Sequence, residues 1–78
     1  YTYYRLLTPA QGRTITGIAK AKKITSPISA ETIAQYGMGA PSTVRSNLQA
    51  LVDKELILNE RDSYEVYNRF FGIWLASR

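Results

Sequence analysis

The chain of 78 residues contains no cysteine and no histidine. Without cysteine there is no disulfide framework and no thiolate metal site. Without histidine it lacks the side chain that most often serves as a general base near neutral pH, and the commonest metal ligand. Catalysis by this stretch of chain is therefore not expected. No apolar run approaches the roughly 20 residues of a membrane helix, and nothing resembles a signal peptide. A cytoplasmic protein without membrane contact is expected. There is no Gly-x-x-x-x-Gly-Lys-Ser/Thr loop to cradle phosphates, so no residue here is assigned to a nucleotide or a metal. Gly37 and Gly39 fall between helical patterns rather than after a strand, and are no nucleotide signature. Repeats and low-complexity tracts are absent as well.

What is present fits one small domain. The apolar fraction of 45% is ordinary for a globular protein and argues against disorder. A chain this short buries only about 60–65% of the surface its unfolded form exposes, so each large apolar residue counts. The net charge of +4 is unevenly placed. Residues 1–45 hold Arg5, Arg13, Lys20, Lys22, Lys23 and Arg45 against Glu31 alone. In residues 46–78, Lys54, Arg61, Arg69 and Arg78 are outnumbered by Asp53, Glu55, Glu60, Asp62 and Glu65. A basic half attracts phosphate backbones. The chain opens on Tyr1 rather than Met, and is expected to be a domain excised from a longer protein or, alternatively, a processed chain.

The most informative stretch runs from Pro41 to Ile57. Val44, Leu48, Leu51 and Val52 recur at i, i+4, i+7 and i+8, one face of a helix that begins near Ala40 or Pro41 and ends near Lys54-Glu55. Upstream, Thr8-Pro9-Ala10-Gln11 is a capping box with proline at the first helical position. It starts a first helix whose buried face is Ala10, Ile15, Ile18 and Ala19, with Thr14 on its edge, fading around Lys20–Lys22. Gly12 and Gly17 either weaken this helix by about 1 kcal/mol each or permit close packing. Ile24–Ile28 is a connector, and Ile28 is a candidate bridge to a later hairpin. Ser29 caps a short second helix with Ala30, Ile33 and Ala34 on its face, closed by Gly37 in the left-handed conformation. Met38 is expected to plug the space between the two helices. Leu56–Asn59 and Tyr64–Tyr67 are strand-like, separated by Glu60-Arg61-Asp62-Ser63. Phe70, Phe71, Trp74 and Leu75 fall at helical spacing.

Three helices followed by a two-stranded ribbon form a winged helix-turn-helix. The expected fold class is α+β, mainly α: a three-helix core, a two-stranded β-wing, a candidate one-residue third strand at Ile28, and a C-terminal helical segment. Residues 1–7 are expected to be a linker or the end of a preceding domain, or a segment packed on this one, and residues 8–78 the winged-helix domain.

Several blocks also resemble a known family. Thr8-Pro9-Ala10-Gln11, Tyr36-Gly37-Met38-Gly39, Pro41-Ser42-Thr43-Val44, Leu51–Ile57 and above all Tyr64–Leu75 are similar to the C-terminal domain of prokaryotic AAA-type ATPases of the archaeal-ATPase group. The resemblance implies a cytoplasmic, ATP-binding protein in which a P-loop ATPase precedes the winged helix. ATP and magnesium would be held by that ATPase domain, outside this chain. It also implies the ATPase domain as an intrachain partner and an oligomer of the full-length protein.

With Val44 facing inward, Ser42, Ser46, Gln49 and Asp53 point outward, and Thr43 and Arg45 sit on the flanks. Hydroxyls and amides bond phosphates or base edges, and arginine pairs with phosphate or guanine. Ser42, Thr43, Arg45, Ser46 and Gln49 are thus the candidate contacts to double-stranded DNA; the alternative is that Ser42 and Thr43 cap the helix and the rest is solvated. Lys20, Lys22 and Lys23 are either an electrostatic footprint or a solvated helix end. Arg61 is a candidate phosphate contact at a wing tip that is otherwise acidic. Tyr64, Tyr67, Phe70, Phe71 and Trp74 are expected to pack the terminal segment onto the ribbon and first helix, with base stacking as the alternative. Of the first segment, Tyr1, Tyr3 or Tyr4 is a candidate face toward the ATPase. The expected function is a DNA-binding module. The alternative is a protein-interaction module that packs on the ATPase domain or a neighbouring subunit to regulate hydrolysis or oligomerisation.

Overall fold

The computed structural model describes residues 2–25 and 28–77. Tyr1 and the Ser26-Pro27 part of the connector lie outside these, as does the side chain of Tyr3. In chain order the elements are α1 (Thr2–Arg5), α2 (Pro9–Ala21), β1 (Ile24–Thr25), α3 (Ala30–Gln35), α4 (Pro41–Asp53), β2 (Ile57–Glu60), β3 (Ser63–Val66) and α5 (Arg69–Ala76). The expected first, second and third helices are α2, α3 and α4.

The start of α2 is set by its capping box. Thr8 Oγ1 accepts from the Gln11 amide at 3.1 Å, and Gln11 Oε1 accepts from the Thr8 amide at 3.2 Å. Pro9 has no amide hydrogen to leave unsatisfied at that position. The helix then packs against α4, α5 and β3. A helix touched on so many sides must be apolar or small over a broad arc, and Gly12, Thr14, Ile15, Gly17, Ile18 and Ala19 are all buried. Thr14, expected at the edge, is fully buried, and Ala10 is only half-buried. Gly17 is there for closeness: a Cβ on it would sit 2.8 Å from Met38 Cγ and 3.2 Å from Tyr36 Cβ. Met38 is fully buried beneath it, as expected.

Ser29 caps α3, accepting from the Thr32 amide at 3.2 Å. Only Ile33 of its face is buried. Ala30 and Ala34 are exposed, contrary to expectation, because six residues give the helix room for little more than one inward position. Its end is a Schellman motif: the Met38 amide donates to the Ile33 carbonyl at 3.0 Å and the Gly37 amide to the Ala34 carbonyl at 3.3 Å, with Gly37 at φ +61°. The end of α4 repeats it. There Leu56 donates to Leu51 and Glu55 to Val52, but the left-handed residue is Glu55, at φ +61°.

Val44, Leu48 and Leu51 of α4 are buried as the periodicity requires, and so is Asn47. Asn47 Nδ2 donates to Thr14 Oγ1 at 3.2 Å, and that hydroxyl donates to the Ala10 carbonyl at 3.1 Å. This polar link crosses the apolar interface between α2 and α4 and gives the Asn47 amide nitrogen and the Thr14 hydroxyl their partners.

The sheet has the order β1-β3-β2, all antiparallel. Ile24 faces Tyr64, and Ile57 faces Val66, on the side turned to the core; Thr25, Leu58, Glu60, Ser63 and Glu65 share the outer side. The third strand is thus Ile24–Thr25 and not Ile28, which is half-buried outside any strand. Its physical reason is proximity: α2 ends at Ala21, and Ile24 reaches the free edge of β3 directly, burying its side chain. The ribbon strands begin and end close to expectation, joined by the two-residue turn Arg61-Asp62.

Asn68 starts α5 by accepting from the Phe71 amide at 3.0 Å. Phe71 and Leu75 are fully buried. Trp74 stacks on Phe71 with ring centroids 6.0 Å apart, and Tyr4 of α1 meets Trp74 edge-on at 5.6 Å. Tyr4 is therefore packed on this domain rather than presented as a free face. The expectation that all five aromatics join the core is corrected for two of them. Tyr67, between β3 and α5, is 64% exposed, and Phe70 is 72% exposed because the inward arc of α5 is already filled by Phe71 and Leu75.

Two outcomes follow for stability. Thr14→Val strands the Asn47 amide and should cost about 1–3 kcal/mol, whereas Thr14→Val with Asn47→Leu should cost less than the two single changes together; urea unfolding of the four proteins measures this. At the paired helix ends the signs oppose. Gly37→Ala should destabilise by about 1 kcal/mol and Glu55→Gly should stabilise by about 1 kcal/mol, read from the same unfolding midpoints.

Candidate nucleic-acid interface

The packing that buries Val44, Asn47, Leu48 and Leu51 turns the opposite side of α4 to solvent. Ser42, Thr43, Arg45, Ser46 and Gln49 are all exposed there. From Pro41 to Val52 the helix carries no acidic residue, and Asp53 comes only at its end. Gln49 Nε2 donates to Asp53 Oδ1 at 3.0 Å, which ties the last of these polar groups to the one carboxylate of the helix. The N-cap is Ala40, which offers no side-chain hydrogen bond. Ser42 and Thr43 lie inside the helix and do not fill the cap position. The first-turn amides of α4 thus have no side-chain acceptor, and they carry the positive end of the helix dipole. Arg45 borders a groove of about 240 Å³ with Ile28, Ile33, Pro41 and Tyr64. Tyr64, nineteen positions along the chain, gives no local signal that it lies beside Arg45; only the return of β3 places it there.

The remaining candidates are spread over other surfaces. Lys20 is exposed in the last turn of α2, where a cation complements the negative end of the helix. Lys22 ends that helix at φ +69° and borders a groove shared with Glu65 and Arg69. Lys23 and Arg61 are brought together, on either side of a hollow of about 420 Å³ on the outer face of the sheet. Glu60, Asp62 and Glu65 line the same hollow, so this face carries more acid than base. The lysines and Arg61 do not extend the Arg45 groove into one basic stripe.

The wing is short. Arg61 and Asp62 have φ of 47° and 62°, the signature of a type I′ turn, and Ser63 Oγ donates to the Glu60 carbonyl at 2.8 Å across it. Nothing projects beyond these two residues to reach a neighbouring groove of DNA. Among the described residues no group of acidic side chains is arranged to hold a metal ion, and no helix is long and apolar enough to cross a membrane.

A helical core whose last helix exposes a polar face, followed by a hairpin on a small antiparallel sheet, defines a winged-helix domain. Residues 1–77 match the family described as probable winged helix domain, and the chain belongs to that family. No curated protein and no solved structure matches it.

The turn geometry carries its own outcome. Two non-glycine residues at positive φ are strained, and Asn-Gly suits a type I′ turn best. Arg61→Asn combined with Asp62→Gly should raise stability by about 1 kcal/mol, or about 4–8 °C in melting temperature, as followed by circular dichroism.

Proposed function

We propose that this domain binds duplex DNA, with the N-terminal half of α4 laid against the major groove. The observation that carries the reading is the exposed, acid-free polar face of α4 from Ser42 to Gln49, beginning at uncapped amides. Arg45 supplies the charge for phosphate or guanine, and Ser42, Thr43 and Ser46 supply hydroxyl contacts. The dipole of the helix favours phosphate at the same end. Asp53 and Glu55 at the far end repel the backbone and restrict docking to the first half. The acidic wing contributes little, and Lys20, Lys22 and Lys23 act as long-range attraction rather than as contacts. Winged-helix domains act by binding and not by catalysis, in keeping with a chain that lacks histidine and cysteine. On the sequence resemblance, the domain would follow a P-loop ATPase, whose nucleotide state would alter how the module meets DNA.

A second reading is favoured by the outer face of the sheet, where Glu60, Asp62 and Glu65 outnumber Lys23 and Arg61. Such a face suits a basic protein surface, that of the ATPase domain or a neighbouring subunit. Under this reading, deleting residues 1–78 from the full-length protein changes its ATPase rate or oligomer size without DNA.

Fluorescence anisotropy with a short random duplex tests the first reading. Binding is expected at about 10⁻⁴ to 10⁻⁶ M near physiological salt and tighter at low salt. Arg45→Ala should weaken it and reduce the slope of log K against log salt by about 0.9. Unchanged binding after Arg45→Ala and Ser46→Ala would exclude α4 as the contact.

A further inference from the structure

We infer that two copies of this chain pair through α5, each covering the other's exposed Tyr67, Phe70 and Ile73. These side chains are 64%, 72% and 59% exposed, and Leu6 beside them is 70% exposed. They form one surface. Leu6 and Tyr67 border one groove, and Tyr67 and Ile73 border the next. Phe70 and Ile73 are one helical turn apart on α5. A small monomeric protein seldom leaves so many large apolar side chains together in water.

The shape and the charge of this surface suit a second copy. A two-fold pairing brings the same patch against itself, so the patch must offer both a projection and a hollow, and both signs of charge. Phe70 is the projection. The hollow, of about 550 Å³, is lined by Val66, Gly72, Ile73 and Ala76 among others. Gly72 keeps it open, because a Cβ there would lie 3.5 Å from Val66 Cβ and fill the space between. Arg69 and Lys22 stand on the rim together with Glu65, and Lys54 and Glu55 flank the groove beside Leu6. Pairing copies in antiparallel fashion sets Arg69 of one against Glu65 of the other. A nucleic-acid strand fits less well: Tyr67 and Phe70 offer rings, but Leu6 and Ile73 do not, and Glu65 and Glu55 at the margins repel phosphate.

Sedimentation equilibrium of the 78-residue chain tests the pairing, with circular dichroism as the control for folding. A monomer–dimer equilibrium with a dissociation constant of about 10⁻⁵ M is expected. Phe70→Ser should raise that constant at least about tenfold, and Ile73→Ser should act in the same direction. Both sites are exposed, so the fold should tolerate either change. Arg69→Glu and Glu65→Arg should each weaken the dimer, and the two together should restore it to within about threefold of the parent. A monomer at every concentration overturns the inference. A dimer that ignores Phe70→Ser and Ile73→Ser overturns it too. Arg45→Ala should leave the dimer unchanged, so this result is separable from DNA binding.

Discussion

The burial of α2 is the constraint that the other elements obey. This helix packs against α4, α5 and β3, and its buried positions run along nearly its whole length. In a domain this small, a helix in contact with two other helices and the central strand occupies the middle of the core, and packing density leaves little tolerance at its contacts. Gly17 lets the turn after α3 rest directly on its backbone, with Met38 filling the remaining space. Thr14 has to lie in the core, and its hydroxyl needs partners there. Asn47 and the Ala10 carbonyl supply them. That link lies on the same face of α4 as Val44, Leu48 and Leu51, so it reinforces the rotation that the apolar spacing sets and that turns Arg45 and its neighbours outward.

The distribution of charge, rather than its sum, shapes the functional reading. A net charge of +4 suggests one attractive face, but the fold divides it. The α4 face carries one arginine among hydroxyls and amides. The outer face of the sheet mixes Lys23 and Arg61 with three carboxylates, Glu60, Asp62 and Glu65. The apolar face of α5 carries both signs at its margin. Because these surfaces are separate, the contacts we propose, nucleic acid at α4 and protein at α5 or at the sheet, do not compete for the same residues.

Much of the architecture is legible in local patterns. The capping box at Thr8–Gln11, the cap at Ser29, the left-handed Gly37 and the spacing of Val44, Leu48 and Leu51 each involve residues within one or two turns of one another. Such signals survive in a sequence because the physical interaction is itself local. Ile24 and Ile28 show the limit. Both are β-prone isoleucines in one connector, and which of them meets the free edge of β3 depends on where α2 ends relative to a hairpin forty residues away. Phe70 and Phe71 show it again. Adjacent and alike in composition, one is exposed and the other fully buried, because consecutive helical positions point about 100° apart and the core takes up only one direction. Among the candidate contacts, the outward set on α4 follows from periodicity, whereas the separation of Arg45 from Lys22, Lys23 and Arg61 arises only when the chain folds.

By itself, then, the sequence determined that α2 to α5 are helical and that a ribbon follows α4, where α2 and α3 are capped, which side of α4 faces water, and that no histidine or cysteine chemistry is available. These follow from composition and from contacts within a few residues. Tertiary structure alone decided that Thr14 and Asn47 meet in the core, that Ile24 supplies the third strand, that Arg61 lies among carboxylates with Lys23, and that Tyr67, Phe70 and Ile73 remain uncovered. Each of these depends on residues far apart in the chain competing for the same small volume. No local pattern encodes the outcome of that competition.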